Sequence, residues 1–396
     1  MTIVAVHKVS GAHTTAALAI GTIALLVIGL QPILLGELVD AHRASLEGVG
    51  LVAMAEIVAL GLGVLIGDAC LPLSRLRLVT IVGALLVAAF DAVTLRANGD
   101  VQLAAVRAAA GLCEGLLLWI ATGVIVRSSK PDRVAGIFFV VQTIAQATVG
   151  LIFANSVIPR FGWQGAFAVL AVVSSFACVL TAWQPDRLNA LQTPSLSGFR
   201  WSTYSVAPLT VIFLQLAALG SLWAYVDPLG RAAGFDAKAV QSLIAGVLAT
   251  QVLGGSIGSA LVRILPTVPT LMAGSLTLGA AAVGVHHAMA AQATLEFALL
   301  CAVFGFTWLF LMPFQMALAF RCDPSGRVAS LSPAMQVFGI AFGPLVGSFV
   351  IHGDDASRIP AVSVSFAATA VVVLLVSVRR SSQSRTNGHV SNSGVK

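Results

Sequence analysis

Twelve stretches of about 20 apolar residues follow one another along the chain, and each is long enough to cross a lipid bilayer as a helix. Of the 396 residues, 58% are hydrophobic and only 10% are charged, whereas a soluble domain carries about 25% charged residues. A chain this apolar needs lipid as its solvent. The sequence therefore predicts an all-α membrane protein with transmembrane helices at roughly 13–36, 48–67, 77–95, 102–126, 134–158, 164–183, 206–226, 239–260, 267–290, 295–319, 328–351 and 360–378.

The second half of the chain repeats the first at an offset of about 194 residues. The sequence Arg-Val-Ala at 133–135 recurs at 327–329, and Gln142 has its counterpart in Gln336. Membrane proteins built from two similar halves place a substrate site where the halves meet. We therefore predict two six-helix bundles with a site between them. The predicted division is an N-terminal segment 1–12, a first bundle 13–183, a polar linker 184–205, a second bundle 206–378 and a disordered tail 379–396.

The positive charges set the orientation of the chain in the membrane. With the N-terminus in the cytoplasm, fifteen of the 22 Lys and Arg residues fall on the inner side and six on the outer side. Both termini are then cytoplasmic. We expect the protein to lie in the inner (plasma) membrane of a bacterium and to be a monomer. Since membrane topology explains the net charge of +6, no nucleic-acid partner is expected.

Few ionisable groups lie inside the predicted spans, and each is costly unless it is paired or hydrated. Arg107 and Glu114 are seven residues apart on span four, about 10 Å along the helix axis, so they are not obvious direct partners. Glu56 on span two lies at a depth similar to that of Arg107. We predict a Glu56–Arg107 ion pair, with Glu114 exposed to a central cavity as a proton acceptor or substrate contact. A purely structural role in a buried polar network is the alternative for all three.

Glutamine side chains form a second set of candidates for the cavity. Such amides can hydrogen-bond a solute or join one helix to another, and the sequence leaves both roles open. The candidates are Gln31, Gln142, Gln146, Gln215 and Gln336.

A glycine-rich segment in span eleven combines small residues with a proline inside the helix. Small residues let two backbones approach closely, and proline frees a carbonyl and bends the helix. The segment predicts either a flexing point for alternating access or tight packing alone. Its members are Gly339, Gly343, Pro344 and Gly347.

The chain resembles the major facilitator superfamily over residues 10–380. The resemblance is carried by the 6+6 pattern, the long middle loop, Arg107-Ala-Ala-Ala-Gly111-Leu-Cys-Glu114-Gly115 in span four and Gly-Trp-Gln-Gly-Ala-Phe at 162–167. It implies that Arg107 faces the cavity and takes part in proton coupling, and that Gly111 is a close-packing residue. The loop between spans two and three keeps little of the family's pattern. The sequence therefore does not predict the conformational latch that is usually ascribed to this loop in the family. Span five lacks the glycine motif of the drug antiporters.

These observations predict a proton-coupled secondary transporter that exports a small amphipathic solute, similar to sugar- and drug-efflux carriers. Uptake of an organic anion with Arg107 as its counter-ion, or a sensor that has lost transport, are the alternatives. No catalytic or nucleotide-binding motif is present, so the sequence predicts no enzyme, and we expect neither a cofactor nor a metal site. The expected partners are the solute, protons and membrane lipid.

Overall fold

A computed structural model describes residues 11–128, 131–189, 203–323, 327–353 and 355–391, and this part of the chain is almost entirely helical. Lipid offers the backbone no hydrogen-bonding partner, so a spanning chain of this kind satisfies its amides within helices. The helices are α1 (Gly11–Asp40), α2 (Gly48–Cys70), α3 (Leu76–Thr94), α4 (Asp100–Val126), α5 (Pro131–Ile152), α6 (Ile158–Leu180), α7 (Thr203–Trp223), α8 (Val226–Ala232), α9 (Ala237–Leu261), α10 (Thr267–Ala290), α11 (Thr294–Cys322), α12 (Arg327–Ser348) and α13 (Ile359–Ser391).

Eleven segments of the described chain are long and apolar enough to cross a membrane. The longest, Arg133–Trp183, has 51 residues, which as one straight helix would measure about 75 Å against a hydrocarbon core of about 30 Å. Gly162 interrupts this segment with φ 60° and ψ −162°, a conformation that is open essentially to glycine alone. The segment therefore contains α5 and α6 as two passes, which agrees with the predicted spans five and six.

The ends of α7 and α13 are among the helix ends that differ from the predicted boundaries. The helix α7 stops at Trp223, and the short helix α8 follows with Pro228 in its first turn, a position where proline is tolerated. At the other end of the chain, the sequence predicts a disordered tail from residue 379, but α13 continues to Ser391. No proline after Pro360 interrupts this helix. Of the predicted linker 184–205, residues 190–202 lie outside the described chain.

The same pattern of helix contacts occurs in each half of the chain. In the first half α1 contacts α4, α5 and α6, while α4 packs against α2 and α3, and α3 packs against α6. In the second half α7 contacts α11, α12 and α13, while α11 packs against α9 and α10, and α10 packs against α13. The most extensive contacts between the halves run from α2 to α12 and from α5 to α9.

Glycines from the repeat pack equivalent helices together. A Cβ atom on Gly111 of α4 would collide with the backbone carbonyl of Glu56 on α2. A Cβ atom on Gly305 of α11 would lie 2.8 Å from the backbone carbonyl oxygen of Val247 on α9. Each pair of helices therefore needs a glycine at this crossing, as the sequence predicts for Gly111.

The glycine-rich segment of span eleven packs α12 onto α7. A Cβ atom on Gly339 would lie 2.5 Å from the carbonyl oxygen of Phe213, and one on Gly343 would collide with the carbonyl of Ala217. A Cβ atom on Gly347 would lie 3.0 Å from the side chain of Ile359. The close-packing function of these residues is therefore visible in the structure.

Candidate functional site

Arg107 is the centre of a buried ionic cluster inside the first half of the chain. Its Nε atom donates to Glu56 Oε1 at 2.7 Å, and its second terminal nitrogen also contacts that oxygen. Its first terminal nitrogen donates to Asp91 Oδ1 at 2.7 Å. Gly111, one turn along α4 from Arg107, allows the close approach of α2 that brings Glu56 to the guanidinium group. The ion pair predicted between Glu56 and Arg107 is present.

Glu114 lies next to this cluster and not in an open cavity. Its Oε1 atom is 3.6 Å from a terminal nitrogen of Arg107, and its side chain is buried. Side chains on a helix lean toward its N-terminus, so Glu114 reaches back along α4 toward Arg107. The expectation that these two residues would not be direct partners is therefore wrong.

The expectation that Arg107 and Glu114 face a central cavity is also wrong in this structure. Arg107 is only 1% exposed and Glu114 only 4% exposed. Helices α1, α2 and α3 pack against α4, and the ring of Phe167 on α6 lies 5.4 Å from the guanidinium carbon. The void beside Gln31, Glu56, Arg107 and Phe167 measures about 10 Å³, no more than a single water molecule needs.

Asp91 on α3 is the member of the cluster that the sequence did not assign to the site. Asp91 is three residues from the end of α3, and Arg107 is seven residues into the antiparallel helix α4. The two residues therefore lie at comparable depth in the membrane, and the pairing of Asp91 with Arg107 could have been predicted from this similarity. The choice of partner depended on the rotation of α3, which its sequence does not reveal.

The charges of this cluster do not balance. Three carboxyl groups surround one guanidinium group, and Glu114 Oε2 has no hydrogen-bond partner among the described residues. Burying an uncompensated charge costs several kcal/mol, on the order of 3–5 for a broken buried pair. An arrangement of this kind can hold a proton on a carboxyl oxygen and release it when the surroundings change.

Two of the predicted glutamines join helices of the first half. Gln31 on α1 donates to the carbonyl of Ala53 on α2 at 3.4 Å, and Gln146 on α5 donates to the carbonyl of Leu25 on α1 at 2.6 Å. Gln142, one turn before Gln146, has a buried Oε1 atom with no partner among the described residues. Of these three, Gln142 is therefore the one with a buried acceptor that has no partner among the described residues.

A chain of amides crosses the second half. Gln336 on α12 donates to Gln315 Oε1 at 3.1 Å, and Gln315 on α11 donates to Gln215 Oε1 at 2.9 Å. Gln215 on α7 donates in turn to Ser275 Oγ at 2.8 Å and to the carbonyl of Leu271 at 3.2 Å. The structure thus brings Gln215 and Gln336 together through Gln315, which the sequence did not single out.

The second half has no counterpart of the ionic cluster at the repeat-equivalent positions. At an offset of about 194 residues Cys301 corresponds to Arg107 and Trp308 to Glu114. Both are buried, and the ring of Trp308 packs edge-on against Trp223 with the centroids 5.6 Å apart. Within the described residues, no group of three or more His, Cys, Asp or Glu is arranged to hold a metal ion.

Comparison with known families identifies the chain. A sequence model of the Major Facilitator Superfamily matches residues 13–344. The chain belongs to the major facilitator superfamily. This major facilitator protein is accordingly a multi-pass membrane protein and a secondary carrier of small solutes.

Solved structures show the same fold at low sequence identity. A crystal structure of a mutant of the nucleoside transporter NupG is 12% identical, with a TM-score of 0.68, covering 92% of this chain and 99% of that one. An inward-facing, unoccupied structure of a bacterial homolog to the human lysosomal transporter Spinster is also 12% identical, with a TM-score of 0.62 and coverage of 92% and 94%. The inward-facing, occupied structure of that homolog is 12% identical, with a TM-score of 0.62, and the match covers 93% of this chain and 96% of that one. No curated protein matches the chain significantly.

Proposed function

We propose that this major facilitator protein is a proton-coupled exporter that moves a small amphipathic solute between two six-helix bundles by alternating access. The observation that carries the proton coupling is the cluster of three carboxyl groups around Arg107. Glu114 is the proton carrier in this proposal, because it is the carboxyl group farthest from Arg107 and has an oxygen without a partner. Glu56 and Asp91 hold the guanidinium group in place.

The repeated helix contacts support movement as two bundles. The contacts within residues 11–189 recur within 203–391, and the α2–α12 contact is the repeat equivalent of the α9–α5 contact. Such pseudo-symmetric pairs allow one bundle to rock against the other about a site at the seam. Gln142 and Gln336 are proposed to face that site at equivalent positions on α5 and α12.

The pairing of Arg107 bears on the kind of solute. Arg107 is fully buried and already neutralised by Glu56 and Asp91, so it offers no free cation to an organic anion. Near the seam, the buried rings of Trp223 and Trp308 pack against each other and make the surroundings apolar. These features favour an amphipathic or cationic solute over uptake of an organic anion.

The test uses purified protein in proteoliposomes of bacterial inner-membrane lipid. A panel of labelled amphipathic cations, neutral solutes and organic anions is screened by counterflow, which needs no proton gradient. Each exchanging solute is then assayed for net transport driven by an imposed pH gradient. We expect Glu114→Gln to retain counterflow and to lose pH-driven net transport, because exchange needs only the moving bundles.

Glu296→Gln is the matched control, since Glu296 is exposed at the start of α11, and it should retain both activities. Net transport by Glu114→Gln with wild-type pH dependence would remove Glu114 from proton coupling. Exchange of organic anions alone would favour the uptake alternative. No exchange across the panel would favour a membrane sensor.

A further inference from the structure

A polar cluster at the predicted outer side joins the first half of the chain to the second. Arg231 on α8 lies with a terminal nitrogen 2.5 Å from Asp40 Oδ2 at the end of α1. The Nε atom of Arg231 also donates to Asp227 Oδ2 at 2.8 Å. Beside this bridge, Gln241 on α9 donates to Glu37 Oε1 at 2.7 Å. The end of α1 is thus held by both α8 and α9.

Asp227 is the buried member of this cluster, and α1 is the helix that covers it. Its side chain is 2% exposed, whereas the side chain of Asp40 is 43% exposed. A Cβ atom on Gly36 of α1 would lie 2.5 Å from the carboxyl carbon of Asp227. Oδ1 of Asp227 has no hydrogen-bond partner among the described residues. Separation of α1 from α8 would therefore expose this carboxyl group to water.

The charged groups that face Asp227 come from two elements. Arg231 lies one turn along α8, and Asp40 and Glu37 lie on α1. The helix α9 contributes the uncharged Gln241. The third neighbour of α8 is α10. Its His286 faces a different side of α8, where it lines a cavity of about 240 Å³ with Pro228, Leu229 and Asp355.

Burial raises the pKa of Asp227 to about 7 from its ordinary value of 3.8, although Arg231 acts in the opposite direction. If α1 moves away, the burial ends and the pKa falls back toward the ordinary value. A group whose pKa is higher in one state stabilises that state when it is protonated. The closed arrangement is therefore favoured as the pH falls below about 7, and it is disfavoured at higher pH, where closure must bury a carboxylate.

We propose that Asp227 binds a proton from the predicted outer side when α1 closes over α8, so that closure of this side depends on the outer pH. The proposal rests on the alternating access of the proposed function, but it concerns a site distinct from the cluster around Arg107. Arg231 and Gln241 hold the closed arrangement together, and Asp227 makes its stability depend on pH.

The test measures the distance between spin labels at the outer side by pulsed electron paramagnetic resonance, without any solute. The labels are attached at His42→Cys and Lys238→Cys, two exposed positions in opposite halves, with the exposed Cys70 replaced by Ser. We expect the ratio of closed to open populations to rise by about tenfold or more between pH 8 and pH 5. In Asp227→Asn most of this pH dependence should be lost, with the closed population high throughout.

Asp355→Asn is the control, since Asp355 is an exposed carboxylate that does not face Asp227, and it should keep the wild-type response. Gly36→Ala gives a second variant, in which crowding of the carboxyl group should lower the closed population at every pH. Populations that do not change with pH, or a wild-type response in Asp227→Asn, would overturn the proposal. Counterflow is measured separately. If counterflow is absent while the distance between the spin labels still changes with pH, the result counts against the proposed function alone.

Discussion

The indole N–H of Trp223 on α7 donates a hydrogen bond to the backbone carbonyl of Ile28 on α1, 3.0 Å away. Within α1 this carbonyl would accept from the residue four positions later, which is Pro32 and has no N–H group. A proline in the first half thus creates an acceptor that a tryptophan of the second half fills. This hydrogen bond is a polar contact between the two halves, and apolar side chains surround it.

Trp223→Phe should lower the free energy of unfolding by about 1–3 kcal/mol, because the Ile28 carbonyl is left without a donor. Pro32→Ala restores an N–H group to α1 and offers that carbonyl a partner inside its own helix. The cost of Trp223→Phe should therefore be smaller in the Pro32→Ala background. A double-mutant cycle from thermal melting in detergent measures the difference, and equal costs in both backgrounds would argue against the proline explanation.

Arg107→Met should destabilise the protein by about 3–5 kcal/mol, since it leaves buried carboxyl groups without a counter-ion. Removing the charges of Glu56 and Asp91 as well, in a triple variant with Glu56→Gln and Asp91→Asn, should recover part of the loss. Thermal melting in detergent compares the two variants with the wild type. A triple variant less stable than Arg107→Met would show that charge imbalance is not the main cost.

Gly111→Ala should cost about 1–3 kcal/mol, because its Cβ atom would collide with the carbonyl of Glu56 and push α2 from α4. Gly246→Ala is the matched control, since nothing lies within 4 Å of an added Cβ on that helical glycine. Its effect should stay within about 0.5 kcal/mol. Melting curves of the two variants in the same detergent give the comparison, and equal losses would contradict the packing argument.

Gln315→Leu should be destabilising by about 1–3 kcal/mol, since it leaves an oxygen of the buried Gln215 without its donor. Replacing both residues removes that unpaired group. The double variant with Gln215→Leu should therefore cost less than the sum of the two single changes. Additive losses in a thermal-melting cycle would mean that the amides do not act as one chain.

The sequence by itself determined the helices and the main features of the ionic site. The length of an apolar stretch compared with the thickness of the bilayer is a local property, so most observed helix ends lie close to those predicted. Glu56 and Arg107 could be paired because each lies at a similar depth in its own span. Gly111 could be assigned to a helix crossing because close packing between helices requires small residues.

Only the tertiary structure decided which face of each helix meets which neighbour. A helix that is apolar all round carries no stripe to mark its buried side, so rotation about the axis is set by contacts far along the chain. For this reason Asp91 became a partner of Arg107, and Glu114 was enclosed within the first half. The same long-range packing placed Gln315 between Gln215 and Gln336 and brought Asp227 under α1.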